Sequence, residues 1–313
     1  MKLFGGIEAG GTKFVCLVGA GPEKLVDEKR FPTTSPEETI AQVVEFFAPY
    51  VRRGDLAALG IASFGPLDLN RASPTYGFIT TTPKPGWGQV DLCGEIGRRL
   101  GLPVAFDTDV NAAALGEQVW TPENRALDPL LYMTIGTGIG VGAIVHGRPV
   151  HGLMHTEAGH FAIPHNRQKD PFPGVCPYHQ DCLEGLASGP SMHKRWGQKA
   201  ETLPAAHPAW DLEAEYIALA LVNLIYAYSP LRIVLGGGVP EHAGLHQAVR
   251  RKVQELLNGY IHSAWVQANI DEYILPPTLG SRSGVLGAIA LAIREQAGYD
   301  SLADAFAHGA RSI

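Results

Sequence analysis

The chain has 313 residues, which is enough for about two domains of ordinary size, each with its own core. Hydrophobic residues make up 45% of it and charged residues 18%, a balance that excludes a disordered tail. The formal net charge is −6 and the pI is about 6.0. The sequence therefore lacks the positive charge by which proteins bind nucleic acids or anionic membranes.

Neither a membrane span nor an export signal is predicted. The longest apolar stretch, residues 217–228, is interrupted by Asn223 and is shorter than the roughly 20 residues that cross a bilayer. No apolar segment of signal-peptide length follows Met1. The four cysteines are too few for a secreted disulfide framework, so the sequence predicts a cytoplasmic protein.

The first half of the chain predicts strands and helices in alternation. Strands over residues 3–7 and 14–18 enclose the turn Gly10-Gly11, which is typical of a β-hairpin. Ser35 as N-cap, Pro36 after it and apolar residues at helical spacing predict a helix over 35–50. The other predicted elements are a strand at 59–63, a Pro- and Gly-rich loop at 65–88 of the length that is often functional, a helix at 92–100, a strand at 103–106 and a helix that ends at Glu117.

The second half begins as the first half does. A strand at 130–135, a glycine turn at 136–140 and a strand at 141–145 repeat the hairpin. A His- and Pro-rich loop at 151–182, a helix at 212–228, a strand at 232–235 that ends in three glycines, and helices at 245–257 and 285–296 follow. Strands that alternate with helices in two similar halves predict a two-domain α/β protein.

The two glycine turns are candidate phosphate-binding sites. Their backbone N–H groups are unobstructed and threonine hydroxyls stand beside them, which is the chemistry of an anion nest. Lys13 adds a positive charge to the first turn. A strand follows Lys13, whereas a Walker loop or a dinucleotide fingerprint would lead into a helix. Glycines also occur in hairpin turns that bind nothing, but two such turns in corresponding places favour phosphate.

Five separated motifs resemble, in order and spacing, those of the ROK family of sugar kinases. They are Glu8-Ala-Gly-Gly-Thr-Lys13, Thr108-Asp-Val-Asn111 through Glu117, Ile135-Gly-Thr-Gly-Ile-Gly140, Glu157-Ala-Gly-His160 and the Cys-Leu-Glu-Gly run that starts at Cys182. The resemblance extends to about residue 297. It implies an α/β actin-like ATPase fold, with two ribonuclease H-like domains around a central cleft. Within the family, the loop 76–87 and the Cys-Pro-Tyr-His run at 176–179 most resemble bacterial fructokinases.

Asp109 is the candidate general base. It lies between a predicted strand and a helix, where a carboxylate could accept the proton of a sugar hydroxyl that attacks the γ-phosphoryl group. Position alone leaves open that Asp107 or Asp109 only caps the helix, whereas the resemblance implies catalysis. The family usually has asparagine at the place of Thr108, so we expect Thr108 to contact the sugar and to help select it.

A second group of residues has the composition of a zinc site. Cys176, His179 and Cys182 follow His160, and two thiolates with two imidazoles suit a closed, structural tetrahedral Zn²⁺ site. Six of the 12 histidines lie between residues 146 and 179, so some of them take no part. A disulfide between Cys176 and Cys182 is an alternative that a cytoplasmic setting disfavours. The resemblance implies zinc as well, although the family's loop is often Cys-x-Cys-x4-Cys.

The remaining candidate residues would bind the two substrates. If one ring nitrogen of His160 binds zinc, the other is free to bond a sugar hydroxyl beside Glu157, and the resemblance adds Glu184. For ATP it implies the two phosphate turns, the turn of three glycines and a helix opened by a proline. The predicted ATP-binding residues are Gly10, Gly11, Thr12, Lys13, Thr137, Gly138, Pro190, Gly236, Gly237 and Gly238.

Together these features predict an ATP-dependent hexose kinase. The preferred reaction converts D-fructose to fructose 6-phosphate, with Mg²⁺ bound to ATP and Zn²⁺ in a structural site. A glucokinase, a mannokinase or an N-acyl-hexosamine kinase is the alternative within the family. A non-catalytic sugar-sensing repressor is the alternative outside the enzymes, and it would need a DNA-binding extension ahead of the first glycine turn.

The sequence also predicts the domain boundaries and partners. We expect an N-terminal α/β domain at residues 1–118, a C-terminal α/β domain at 119–297 and a tail at 298–313. The partners are ATP and a hexose, with no nucleic acid and no membrane. The family resemblance suggests a homodimer.

Overall fold

The fold consists of mixed β-sheets with helices packed against them, and the structure, a computed structural model, describes residues 2–298. The first sheet, in the order β3-β2-β1-β4-β7, contains β1 (Leu3–Ala9), β2 (Lys13–Gly19), β3 (Leu25–Pro32), β4 (Leu56–Ser63) and β7 (Val104–Thr108). The second sheet, in the order β10-β9-β8-β11-β12, contains β8 (Leu130–Ile135), β9 (Ile139–Val145), β10 (Arg148–Pro149), β11 (Arg232–Gly236) and β12 (Ile274–Leu275). The short strands β5 (Phe78–Ile79) and β6 (Val90–Asp91) pair with each other.

The helices alternate with these strands along the chain. They are α1 (Pro36–Arg52), α2 (Leu92–Leu100), α3 (Asp109–Trp120), α4 (Leu183–Ala187), α5 (Gly189–Trp196), α6 (Ala209–Tyr228), α7 (Leu245–Leu257), α8 (Ala264–Gln267), α9 (Ile270–Tyr273) and α10 (Ser283–Ala297). All the predicted strands and helices are present, with ends that differ by a few residues. No described helix is both long and apolar enough to cross a lipid bilayer.

Local sequence signals explain where α1 begins. The Ser35 side chain accepts a hydrogen bond from the Glu38 N–H at 3.3 Å, and Pro36 occupies the first helical position. Buried residues such as Ile40, Val43 and Phe47 lie on the face that packs into the core. The cap and the apolar face therefore both support a helix that begins after Ser35, as the sequence predicts.

The described chain divides into two compact units. The first comprises residues 2–126, 142–156 and 281–298, and the second comprises 127–141 and 157–280. This division differs from the predicted boundary at residue 118, because α10 belongs to the first unit, where it packs against β1 and β4. Residues 299–313, almost the whole predicted tail, lie outside the described residues.

The packing of α10 on the first sheet depends on small residues. A Cβ atom at Gly60 of β4 would lie 1.8 Å from the Ala288 carbonyl oxygen, and one at Gly6 of β1 would lie 2.7 Å from the Val285 carbonyl oxygen. The helix backbone thus rests directly on the strands. Only glycine at these two positions permits that approach.

We expect Gly60→Ala to lower the free energy of unfolding by about 3 kcal/mol or more, because α10 must move away from β4. Urea unfolding of the two proteins measures the change. Gly152→Ala is the control, since a Cβ there meets no atom within 4 Å, and it should change the stability by less than about 0.5 kcal/mol. Equal effects of the two substitutions would contradict the close packing.

Candidate active site and metal centre

The first glycine turn and Asp109 lie at the same edge of the first sheet. Strands β1, β4 and β7 are parallel neighbours, and their last residues are in register: Ala9 pairs with Ser63, and Ser63 pairs with Thr108. The turn that follows β1 and the helix that follows β7 therefore start at one row of carboxyl ends. Ligands of open α/β sheets bind outside such carboxyl ends.

Asp109 occupies the first position of α3, and it is Thr108 that caps this helix. The Thr108 hydroxyl accepts a hydrogen bond from the Asn111 N–H at 3.1 Å, so neither aspartate serves as the N-cap. The Asp109 carboxylate is half-buried and accepts from the Val110 N–H at 2.9 Å. Thr108 is buried and its hydroxyl is committed to the cap, so its contact with a sugar stays a prediction.

A polar network behind Asp109 was not predicted from the sequence. Asp107 is buried and accepts hydrogen bonds from the Thr108 N–H at 2.7 Å and from Asn111 Nδ2 at 2.8 Å. His151 Nε2 lies 3.0 Å from Asp107 Oδ2. Burial lowers the pKa of His151, but the hydrogen bond and the charge of Asp107 outweigh it, so the pKa is raised. In the sequence, the only signal for this network is that His151 begins the histidine-rich loop at 151–182.

Two buried contacts anchor the long loop at 65–88. Trp87 is fully buried against Phe14 and Phe64, and its indole N–H donates to the Thr34 carbonyl at 2.9 Å. At the other end of the loop, the Leu67 N–H donates to His155 Nε2 at 2.9 Å. This loop, whose length is typical of functional loops, is therefore held by the core of the first unit.

The second glycine turn lies beside two other predicted ATP-binding segments. The Gly136 carbonyl accepts from the N–H of Gly189, the first residue of α5, where Ser188 is the N-cap and Pro190 follows. Gly237 has a φ of +91°, and a Cβ there would lie 2.4 Å from the Ile135 carbonyl oxygen. All three segments therefore gather at the carboxyl ends of the parallel strands β8 and β11.

The two acidic residues predicted to bind sugar lie close to each other in the second unit. Glu184 Oε2 accepts from the Ile139 N–H at 2.9 Å, and a Cβ at Gly138 would lie 2.7 Å from that oxygen. Burial, with the nearby charge of Glu184, raises the pKa of Glu157 to about 7. A carboxyl group of that pKa exists in both protonation states near neutral pH, so Glu157 can donate or accept a hydrogen bond.

The four predicted zinc ligands converge on one point. The ligand atoms of His160, Cys176, His179 and Cys182 all lie within 4.8 Å of one another. His160 Nδ1 is 3.7 Å from Cys176 Sγ and 3.5 Å from Cys182 Sγ, and His179 Nδ1 is 3.6 Å from Cys176 Sγ. A tetrahedral zinc ion with bonds of about 2.0–2.3 Å holds its ligand atoms about 3.3–3.8 Å apart. Both thiols are free, so the disulfide alternative is not formed.

A buried carboxylate, Asp170, connects the loop at 151–182 to helices α5 and α6. Its Oδ2 accepts from the Tyr216 hydroxyl at 2.6 Å and lies 3.1 Å from Arg195 Nη2. His165 Nε2 lies 2.9 Å from the Asp170 carbonyl oxygen, and its Nδ1 lies 3.1 Å from Asp181 Oδ2. Because Asp181 directly precedes Cys182, this network fixes the segment that carries one of the predicted metal ligands.

A second buried carboxyl group, Glu213, lies on α6 of the same unit. Its Oε1 has no hydrogen-bond partner among the described residues. Burial raises the pKa of Glu213 well above its usual range, against the opposing charge of Arg195. The folded protein therefore retains the Glu213 proton to a higher pH than the unfolded chain does.

We expect the free energy of unfolding of Glu213→Gln to increase relative to that of the wild type as the pH rises. The unfolded chain releases the Glu213 proton near the ordinary pKa of 4.5, whereas the folded chain retains it to higher pH. The wild type then loses up to about 1.4 kcal/mol of unfolding free energy per pH unit above that value, until the folded-state pKa is passed. Glutamine has no such proton to lose.

Denaturant unfolding at pH 5 and pH 8 measures this difference. The exposed Glu241→Gln is the control, and its difference from the wild type should not change with pH. If the unfolding free energies of Glu213→Gln and the wild type differ by the same amount at both pH values, the prediction that burial raises the pKa of Glu213 is wrong.

The predicted site residues fall into two sets. The first unit holds Gly10, Gly11, Thr12, Lys13, Thr108 and Asp109, at the carboxyl edge of its sheet. The second unit holds Thr137, Gly138, Glu157, His160, Cys176, His179, Cys182, Glu184, Pro190, Gly236, Gly237 and Gly238. Within each unit the structure thus brings together residues that are far apart in the sequence.

Comparison with known proteins gives consistent matches along almost the whole chain. Residues 4–295 match the ROK family. The fructokinase of Streptococcus mutans is 44% identical over 294 residues, which cover 93% of this chain and 97% of that protein. The fructokinase of Zymomonas mobilis is 43% identical over 297 residues, with coverage of 93% and 97%.

A solved structure supports the same relationship. The crystal structure of the ROK hexokinase from Thermus thermophilus aligns with a TM-score of 0.76 and 26% identity, and the alignment covers 95% of this chain and 100% of that one. The match confirms the predicted α/β fold of the actin-like ATPase type.

Proposed function

The chain belongs to the ROK family, and on this premise we propose that it is a fructokinase that transfers the γ-phosphoryl group of ATP to D-fructose. The observation that carries the proposal is the identity of 41–46% to fructokinases over 92–93% of the chain. The row of carboxyl ends that places the first glycine turn and Asp109 together in the first unit supports it.

Asp109 is proposed as the general base of the transfer. Its carboxylate takes the proton of the fructose 6-hydroxyl as that oxygen forms a bond to the γ-phosphorus. The bond between the γ-phosphorus and the bridging oxygen breaks, and ADP leaves with its electron pair. The hydrogen bond from the Val110 N–H orients the carboxylate, and the Thr108 cap fixes the start of α3.

Backbone groups at the two glycine turns are proposed to bind the phosphates of MgATP. The Gly136 N–H donates to the Gly138 carbonyl inside the second turn. A Cβ at Gly11 or at Gly136 would meet no atom within 4 Å, so a phosphate can approach the backbone of either turn. Lys13 adds a positive charge to the first turn. We place the adenosine at Gly236–Gly238 and the N-terminus of α5, where small residues let a nucleotide approach the backbone.

The Cys/His cluster fits a structural Zn²⁺ ion, with His160, Cys176, His179 and Cys182 as its ligands. The ion would supply a rigid tie between the segment at 157–160 and the loop at 176–182. Because Nδ1 of His160 faces the thiols, its Nε2 is the atom left for a sugar hydroxyl. Glu157 and Glu184 are proposed as the neighbouring hydroxyl partners.

The experiment that tests the proposed function is a coupled ADP-release assay on zinc-loaded protein with MgATP. Fructose, glucose, mannose and N-acetylmannosamine are compared by kcat/KM. We expect fructose to exceed each of the others by at least tenfold, since a site built to hydrogen-bond a hydroxyl rejects sugars that lack it in place. Preference for another sugar would overturn the fructokinase assignment and retain a hexose kinase of the same family.

We also propose a cellular location and an oligomeric state. A cytoplasmic location is supported by the four free cysteine thiols, which suit a reducing compartment. A homodimer is supported by the family resemblance alone. Light scattering with size-exclusion chromatography tests the dimer, and a mass of one chain, 33.5 kDa, would contradict it.

A further inference from the structure

The first unit contains a pocket that the proposed mechanism does not use. Its volume is about 560 Å³, within the usual range for sites of small metabolites. It lies between β7, the C-terminal half of α10, and the segments at 69–76 and 148–151. None of the residues assigned above to ATP, sugar or zinc lines it. We name it the arginine pocket.

The arginine pocket is positively charged on a negatively charged protein. Arg71, Arg148 and Arg294 line it together with the carboxylates Asp107 and Glu295, so one positive charge is in excess before His151 is counted. The whole chain has a net charge of −6. A concave surface with the opposite sign of charge to the rest of the protein concentrates anions from solution. Guanidinium groups are suited to phosphate because they bind it in a planar, two-pronged geometry.

The other polar groups of the pocket suit hydroxyls rather than a second negative charge. Glu295 accepts two hydrogen bonds from Arg71, at 3.3 and 2.6 Å, and so holds that guanidinium over the Tyr76 ring. Burial, more than any neighbouring charge, raises the pKa of Tyr76 to about 12, so its phenol keeps its proton and can donate a hydrogen bond. Asp107 and Glu295 can accept hydrogen bonds from hydroxyls.

We propose that the arginine pocket is a regulatory site for a sugar phosphate, whose occupancy lowers the turnover of the kinase. The two carboxylates disfavour a bare anion, and a neutral sugar would make no use of the phosphate-binding geometry of the guanidinium groups. A phosphate joined to a polyol satisfies both kinds of group. Arg148, which is exposed at β10, and Arg294 of α10 are the proposed phosphate contacts.

The pocket is connected to Asp109 through one side chain. Asp107 faces the pocket and pairs with His151, and its Oδ1 also accepts from the Thr108 N–H and from Asn111 Nδ2. These two partners flank Asp109 in the sequence. A phosphate that draws His151 away from Asp107 therefore changes the support of the turn that holds the base. This link to turnover rests on the proposed function, whereas binding in the pocket does not.

Binding is tested first, without ATP, by calorimetric titration with fructose 6-phosphate. We expect two sites in the wild type, one for the reaction product and one in the pocket, and a single site in Arg148→Glu. The matched control is Arg52→Glu, which reverses an exposed arginine at the end of α1, and it should retain both sites. Arg294→Gln provides a second variant and should weaken the same site at least tenfold. One site in the wild type, or equal binding by all these proteins, would overturn the proposal.

Two further ligands test the chemistry of the site. Glucose 6-phosphate tests whether the site is specific for the kinase's own product. We expect it to bind the Arg148-dependent site as well, because it shares the phosphate and the hydroxyl groups of fructose 6-phosphate. We expect inorganic phosphate to bind that site at least tenfold more weakly than fructose 6-phosphate. Equal affinities would overturn the role of the hydroxyl groups.

Kinetics then test the regulation. At saturating fructose, fructose 6-phosphate should lower the kcat of the wild type, and Arg148→Glu should need at least tenfold more of it for the same effect while its uninhibited kcat and KM stay within twofold. Identical inhibition of both proteins would overturn the regulatory role. If the protein fails to phosphorylate fructose at all, the substrate panel reveals that separately, because the titration needs no turnover.

Discussion

Asp109→Asn is expected to lower kcat for fructose by a factor of about 10² to 10⁴, the usual contribution of a general base. The amide keeps the shape of the side chain but cannot take the proton of the attacking hydroxyl. The cap of α3 should survive, because Thr108 supplies it. The KM for fructose should therefore change little, and steady-state assays with the coupled ADP readout measure both constants.

The control for this substitution is Asp55→Asn, which makes the same chemical change at a loop carboxylate that pairs with Arg53. It should retain wild-type turnover. Thermal unfolding of both variants separates a catalytic loss from misfolding. An Asp109→Asn enzyme that keeps more than about a tenth of the wild-type kcat would exclude Asp109 as the base.

The elements with a clear local signal were predicted well from the sequence. The helix at 92–100 and the strand at 130–135 match α2 and β8, because periodicity and turn residues mark both ends of each. No element was predicted at β3, where five of the eight residues are exposed. Its charged residues give no apolar strand pattern, and only pairing with β2 at the edge of the sheet makes it a strand.

The residues of the candidate site also differ in whether the local sequence indicates them. The predicted zinc ligands lie within 23 residues of one another, so the spacing of His160, Cys176, His179 and Cys182 was visible in the sequence. The pair of Asp107 and His151 joins positions 44 residues apart, on β7 and just after β10. Nothing in the local sequence of either residue indicates the other. Such partners become visible only when the path of the chain is known.

Substitution of a zinc ligand is the second change with a large expected effect. Structural zinc sites contribute an apparent 10–16 kcal/mol or so in small domains, and one of four ligands accounts for about 3 kcal/mol of that, roughly 100-fold in affinity. We expect the wild type to hold one zinc ion per chain and Cys176→Ser to lose it to a chelator at a concentration that leaves the wild type loaded. Metal content after dialysis against the chelator measures this.

Cys93→Ser is the matched control, because Cys93 is also a buried free thiol but lies on α2, outside the cluster. Both substitutions place a hydroxyl where a thiol was buried, so both should lower the midpoint of thermal unfolding. At the chelator concentration that leaves the wild type loaded, only Cys176→Ser should lose zinc, and only its midpoint of thermal unfolding should fall further when the chelator is added. If Cys176→Ser retained zinc as the wild type does, or if the purified wild type bound none, the four residues would not form a zinc site, and the orientation of His160 would have to come from the protein alone.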